Sequence, residues 1–118
     1  MSKKHKKIPF DFVLDLLYPL EVEIRPMFGC YSLYTDGKLV LFLRNREKEP
    51  EKNGVWVVAG SEDYESLAEE IGVWVDDKLR NANRKWILIG SSNEEFESRV
   101  TNACALISAG DPRVGRVG

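Results

Sequence analysis

Few side chains in this sequence have the types and spacing that catalysis or metal binding requires. His5 is the only histidine. A single imidazole argues against a histidine-based zinc site and against a Ser–His or Cys–His catalytic pair. Cys30 and Cys104 show no C-x-x-C spacing, and we expect two reduced thiols that pack as small buried hydrophobes. We therefore predict no catalytic residue, no metal site and no cofactor, and expect the protein not to be an enzyme.

Two further patterns imitate functional motifs. The acidic pairs Glu69-Glu70, Asp76-Asp77 and Glu94-Glu95 suggest acid–base catalysis, but adjacent residues on a helix or strand point apart, so we expect solvated or capping carboxylates. The C-terminal sequence GDPRVGRVG, residues 110–118, lacks the spacing of a phosphate-binding loop. It also follows a helix, whereas such a loop precedes one. We predict a flexible tail there.

The segment RPMFG, residues 25–29, is the main candidate interaction site. Pro26 biases Arg25 toward an extended conformation and removes one backbone donor from the strand. In an architectural interpretation, which we favour, an edge strand that contains Arg25 ends in a bulge or turn with positive φ at Gly29. Phe28 is then buried beneath the first or the last helix. In a functional interpretation, Gly29 admits a partner's backbone, Arg25 anchors an anion or carboxylate, and Phe28 is an apolar plug.

Three tryptophans fall in predicted strands: Trp56, Trp74 and Trp86. Large aromatic residues in strands are more often core than ligand platform, so we expect all three in the core, and an exposed one would mark an interface. Stacking on single-stranded nucleic acid would need a basic groove beside them, and the charges nearby in the sequence are of mixed sign.

Charge is unevenly distributed along the chain. The formal net charge of -2 gives no overall attraction to nucleic acid or anionic lipid. We expect the basic N-terminus, residues 1–7, to be a mobile tail. The alternative is nucleic-acid binding by basic residues of the tail and the strands, namely Lys3, Lys4, Lys6, Lys7, Arg25, Arg44 and Arg46. No apolar run approaches the roughly 20 residues of a membrane span, and the N-terminus lacks the apolar core and cleavage site of a signal peptide. We therefore expect a cytoplasmic protein without membrane contact.

Apolar periodicity predicts the helices. A stripe at i, i+3, i+4 and i+7 from Phe10 predicts a first helix over residues 9–18, with Pro9 as its first residue. A second helix is expected between a Ser61 cap and a Gly72 exit. The last helix is predicted from a Ser92–Glu95 capping box to Gly110. Its apolar stripe comprises Phe96, Val100, Ala103, Cys104 and Ile107.

Strands are predicted over residues 22–28, 30–35, 39–44, 55–59, 73–75 and 85–90. Asp36-Gly37 is a strong hairpin signal, and the doubly apolar KLVLFL, residues 38–43, favours a central strand. The charged residues 44–54 predict a mobile surface loop. The order α-β-β-β-β-α-(β)-β-α predicts one α+β domain over residues 1–118, with a mainly antiparallel five- to six-stranded sheet and three helices. Helices mainly on one side would leave an apolar face, so we expect a homodimer or another protein partner.

Residues 25–43 resemble the signature of the TfoX (Sxy) N-terminal domain family, an R-x-M-F-G segment followed by a tyrosine-bearing hairpin. The matching residues are Arg25, Met27, Phe28, Gly29, Leu33, Tyr34, Asp36 and Gly37. The resemblance implies a secretion-chaperone-like α+β fold and a non-enzymatic regulatory role, associated with competence and transcription and exerted through protein–protein contacts. We take Arg25, Phe28, Gly29, Arg44 and Arg46 as candidate interaction residues. A similarity to small YjbR-like domains implies the alternative of a small DNA-binding domain.

Overall fold

The computed structural model describes residues 8–60, 62–73 and 86–117, which form one sheet and three helices. The helices are α1 (Phe12–Leu17), α2 (Tyr64–Ile71) and α3 (Phe96–Ser108). The strands are β1 (Val22–Met27), β2 (Cys30–Thr35), β3 (Lys38–Arg44), β4 (Gly54–Val58), β5 (Trp86–Gly90) and β6 (Arg116–Val117). This order and the antiparallel sheet confirm the predicted α+β class. Ser61, Lys85, most of the predicted strand 73–75 and the basic tail 1–7 lie outside the described residues.

The sheet has the strand order β1-β2-β3-β4-β5, with every neighbouring pair antiparallel, and β6 pairs with the start of β3. Strand β3 is therefore central, as its doubly apolar sequence predicts. The turn Asp36-Gly37 joins β2 to β3 with positive φ at both residues, +53° and +79°. That geometry is the one expected for a two-residue hairpin turn.

Side chains of all three helices pack with those on one face of the sheet to form the core. The strands contribute alternate residues, because successive side chains of a strand point to opposite faces. These strand residues are Leu33, Leu41, Leu43, Val55, Val57, Ile87 and Ile89. Val40 also enters the core, next to Leu41, where the register between β2 and β3 shifts. The helical partners include Val13, Leu17, Leu67, Ile71, Val100, Ala103, Cys104 and Ile107. Both cysteines are free and buried, as predicted.

Two predicted helix starts are wrong. Helix α1 begins at Phe12 rather than Pro9, because Phe10 has a positive φ of +55°, a value that no right-handed helix accommodates. This backbone turn places the Phe10 ring 5.2 Å from the ring of Phe96 in α3. Helix α3 has no capping box. Instead, the backbone N–H of Glu95 donates to Asn93 Oδ1 at 2.7 Å, and the Glu95 carboxylate pairs with Arg99 at 2.9 Å.

The segment after α3 is not the free tail that its glycines and arginines suggest. The Asp111 carboxylate accepts hydrogen bonds from the backbone N–H and the guanidinium of Arg113. Val114 is buried and pairs with Ala59, and the Gly115 N–H donates to the Val58 carbonyl at 2.8 Å. The burial of Val114 and these backbone bonds hold the chain end against β3 and β4. Within the described residues, no helix is long and apolar enough to cross a membrane.

Candidate functional site

The face of the sheet opposite the core carries a row of side chains that no described helix covers. The strand register aligns Arg25, Ser32, Phe42, Trp56 and Leu88 across five neighbouring strands. Beside this row lies a concavity of about 410 Å³, which we call the sheet-face groove. Its lining residues are Met27, Ser32, Tyr34, Leu39, Phe42, Arg44, Lys52, Trp56 and Trp86.

Aromatic residues from neighbouring strands form the apolar part of the groove. Phe42 and Trp56 are direct cross-strand partners, and the rings of Phe42 and Trp86 lie 5.5 Å apart with an interplanar angle of 61°. Trp56 Nε1 donates to the Lys52 carbonyl at 3.1 Å, which orients its indole. Trp56 and Trp86 are only half-buried. The prediction of a core position is therefore wrong for both, and Trp74 lies outside the described residues.

The alternation of β4 explains this placement. Val55 and Val57 point into the core, so Trp56 between them must point to the other face. In β5, Ile87 and Ile89 likewise enter the core. Because both faces of these strands are apolar, the sequence leaves open which of the two the helices cover.

Hydrogen bonds to the β3–β4 loop fix the guanidinium of Arg44, the last residue of β3, beside the groove. The Arg44 guanidinium donates to the carbonyls of Lys48 and Glu49 and to Asn53 Oδ1, at distances of 2.6–2.9 Å. Asn53 in turn bonds the backbone N–H and carbonyl of Arg46, both at 2.8 Å. The charged loop, predicted as a mobile one, is thus folded around the end of β3.

The charges at the groove are mainly cationic. Among its described lining residues, Arg44 and Lys52 are cations and none is a carboxylate. Lys52 pairs with Glu49 at 2.6 Å, and this hydrogen bond lowers the pKa of the Glu49 carboxyl. The three hydrogen-bond acceptors of Arg44 are neutral oxygens. Its positive charge also helps to lower the pKa of the nearby Glu49 carboxyl.

Ser32 is an unusual member of the lining. The residue is only 1% exposed, and its hydroxyl has no hydrogen-bond partner among the described residues. A buried hydroxyl left without a partner is costly, and most such groups in folded proteins are satisfied. The hydroxyl therefore offers one unused donor and acceptor on the groove side of β2.

The RPMFG segment forms the edge of the sheet and the first hairpin turn. Strand β1 ends at Met27, and Phe28-Gly29 is a two-residue turn with φ values of +49° and +79°. Phe28 is 87% exposed. The expected burial of Phe28 is therefore wrong, whereas the turn with positive φ at Gly29 and the edge position of Arg25 are confirmed. A two-residue turn points its side chains outward, beyond the reach of any helix.

The five candidate interaction residues lie near one another but do not form a continuous basic surface. Gly29 and Arg46 meet where the β1–β2 turn approaches the β3–β4 loop, since a Cβ on Gly29 would lie 3.5 Å from Arg46 Nε. Arg44 is the cross-strand partner of Cys30, next to this turn. Arg25 is paired with Glu23 at 2.9 Å, and its guanidinium lies 4.4 Å from the centre of the Tyr34 ring. The four tail lysines Lys3, Lys4, Lys6 and Lys7 lie outside the described residues.

The structure thus adds Ser32, Tyr34, Phe42, Trp56 and Trp86 to the candidate set. Each alternates with a core residue along its strand, a signal that shows which residues share a face but not which face is free. Histidine, cysteine, aspartate and glutamate residues in the described ranges form no group of three that could hold a metal ion. No family model, curated protein or solved structure matches this chain.

Proposed function

We propose that this protein is a non-enzymatic interaction module that binds its partner through the sheet-face groove and the adjacent Phe28 turn. The observation that carries this proposal is the aromatic lining of the groove, which no described helix covers, with Phe42, Trp56 and Trp86 contributed by three neighbouring strands. Exposed aromatic and apolar patches of this kind mark sites of interaction.

The Phe28 turn supports the same proposal independently. A bulky residue with positive φ is a conformational outlier, and such strain is often found where a side chain has a function. Phe28 is highly exposed and directly follows Met27, which lines the groove and is itself 41% exposed. Apolar surface therefore continues from the groove to the turn.

The composition of the groove favours binding over chemistry. Its lining offers aromatic rings, an isolated hydroxyl and two cations, but no pair of titratable groups with an acid and a base role. The resemblance of residues 25–43 to the TfoX N-terminal domain supports a regulatory role of this kind, in which contacts rather than catalysis carry the function.

The proposal is tested by partner capture from the native host with two variants. Phe28→Asn combined with Trp56→Ala removes one aromatic residue from the turn and one from the groove. Tyr18→Ala, the control, removes a ring that is 79% exposed and follows α1, away from the groove. Bound proteins and nucleic acids are identified by mass spectrometry and sequencing, and self-association is measured by sedimentation.

We expect the wild type and the control to retain the same partner, or the same self-association, and the double variant to lose it. Unchanged capture and unchanged sedimentation in a folded double variant would refute the proposed role of this surface.

A further inference from the structure

The geometry points to single-stranded nucleic acid as the occupant of the sheet-face groove, with bases stacked on Trp56 and its aromatic neighbours and a phosphate held by Arg44. This inference rests on the proposed function and names the chemical class of the partner. Three features of the groove carry it: the aromatic array, the charge and the unpartnered hydroxyl of Ser32.

The aromatic array suits a row of bases. Open antiparallel sheets with helices on the opposite face display aromatic side chains on which unpaired bases stack. Here Phe42, Trp56 and Trp86 come from β3, β4 and β5, and Tyr34 adds a fourth ring from β2. Base stacking tolerates any sequence, because every base has a π-face. The exposed ring of Phe28 directly follows Met27, which lines the groove at the end of β1.

The charge of the groove suits a polyanion. A guanidinium has five N–H groups, and Arg44 uses three of them on neutral protein oxygens. Two N–H groups are left for a phosphate, which a guanidinium binds in bidentate fashion. The loop bonds to Lys48, Glu49 and Asn53 fix the guanidinium in place before any ligand arrives. Lys52 adds a second cation, which its pairing with Glu49 partly neutralises.

The hydroxyl of Ser32 is the independent sign of a ligand. It is buried on the groove side of β2, without a hydrogen-bond partner in the described residues. A base edge or a sugar hydroxyl supplies both donors and acceptors and would satisfy it.

Other occupants fit less well. A second copy docked face to face would double the number of cations at the interface, and the described groove lining has no carboxylate to pair with them. An acidic peptide would satisfy the charge but offer no flat partner to the rings of Phe42, Trp56 and Trp86. Duplex DNA presents its bases stacked and paired, so it could not use the rings.

The test measures fluorescence anisotropy of labelled twelve-nucleotide dT and rU strands, with a duplex and a poly-glutamate peptide as comparisons. We expect both single strands to bind at low salt, and a preference for rU would assign RNA. For single strands the logarithm of affinity falls with the logarithm of salt concentration by about 0.7 per phosphate contact. Contacts by Arg44 and Lys52 therefore predict a slope of about -1.4, and Lys52→Gln should reduce its magnitude by about 0.7.

Substitutions of groove residues test whether the oligonucleotide binds in the groove. Trp56→Ala and Trp86→Ala should each weaken binding by about tenfold or more, whereas Trp56→Phe should retain most of it and Tyr18→Ala all of it. Ser32→Ala should weaken binding several-fold without lowering the melting temperature, since it removes an unsatisfied hydroxyl. Because Ser32→Ala and Trp56→Phe keep the packing, at least these two report on binding in a folded protein.

Three results would overturn the inference: no single-strand binding at low salt, binding that the tryptophan and Ser32 variants leave unchanged, or equal binding of the duplex. Groove-dependent binding of poly-glutamate or groove-dependent dimerisation, without single-strand binding, would refute nucleic acid as the occupant while retaining the proposed function. Loss of every groove-dependent interaction would refute both.

Discussion

At the turn between β1 and β2, Phe28 occupies a left-handed conformation with its side chain in solvent. A residue other than glycine or asparagine has a conformational penalty there, whereas Asn-Gly is the preferred pair for this turn. The local sequence therefore disfavours this turn, and no packing of the Phe28 ring within the described chain offsets the conformational penalty.

We predict that Phe28→Asn raises the free energy of unfolding by about 1 kcal/mol. Phe28→Ala should change it by less than about 0.5 kcal/mol, because an exposed side chain leaves no cavity. Urea unfolding of the two variants and the wild type measures both values. A loss of 3 kcal/mol or more in Phe28→Ala, the size expected for a buried phenylalanine, would show that the ring is covered.

Gly54 and Gly90 face each other across β4 and β5 and provide a matched pair. Gly54 has a φ of +147°, and a Cβ there would lie 2.1 Å from the Ile89 carbonyl oxygen, whereas a Cβ on Gly90 would meet open space. We predict that Gly54→Ala lowers the free energy of unfolding by about 2–3 kcal/mol, from backbone strain and the clash. Gly90→Ala should change it by less than about 0.5 kcal/mol. Equal effects in chemical unfolding would contradict this account.

At the scale of elements, the segment after α3 is attached to α2 through one arginine. The Arg113 guanidinium bonds the Asp111 carboxylate, at 2.7 Å for the shortest pair, and also the carboxylate of Glu70 in α2. The hydrogen bonds from Arg113 hold the pKa of the Asp111 carboxyl at about 2, below the value of about 3.9 for an unfolded chain.

This difference predicts an acid dependence of stability. A carboxyl with a lowered pKa stabilises the fold fully above the unfolded pKa, and the stabilisation is lost as pH falls from about 4 toward 2. We expect Asp111→Asn to be less stable than the wild type at pH 7 and the gap to close over that interval. Urea unfolding between pH 2 and pH 7 measures the gap, with Glu47→Gln, an exposed loop substitution, as the control. A gap independent of pH would show that the charge of Asp111 does not contribute.

At the scale of the whole molecule, the sheet separates a covered face from an uncovered one. Leu41 and Phe42 are neighbours in the central strand, yet Leu41 is fully buried in the core and Phe42 lines the groove. We predict a loss of about 2–5 kcal/mol for Leu41→Ala, from the cavity it leaves in the core. Phe42→Ala should cost less than about 1.5 kcal/mol, chiefly its ring contact with Trp86. Thermal and urea unfolding compare the two, and a Phe42→Ala loss as large as that of Leu41→Ala would place Phe42 in a second core.

The local pattern of the sequence determined the elements. Residue alternation and the Asp36-Gly37 turn place β2 correctly from Cys30 to Thr35, and the apolar stripe from Phe96 to Ile107 identifies the buried face of α3. These features depend on neighbours within a few residues, so they can be read without knowledge of the rest of the chain.

Tertiary structure alone decided the use of each surface. Trp56 and Val57 are equally apolar and adjacent, and only the packing of the helices makes one a groove residue and the other a core residue. Phe28 is exposed because the pairing of β1 with β2 makes it half of a two-residue turn, and Arg44 shares the groove face with Phe42 because both alternate with the core residue Leu43. Which face the helices cover depends on contacts between segments distant in the chain, and alternation along a single strand cannot encode which of two apolar faces another element will cover.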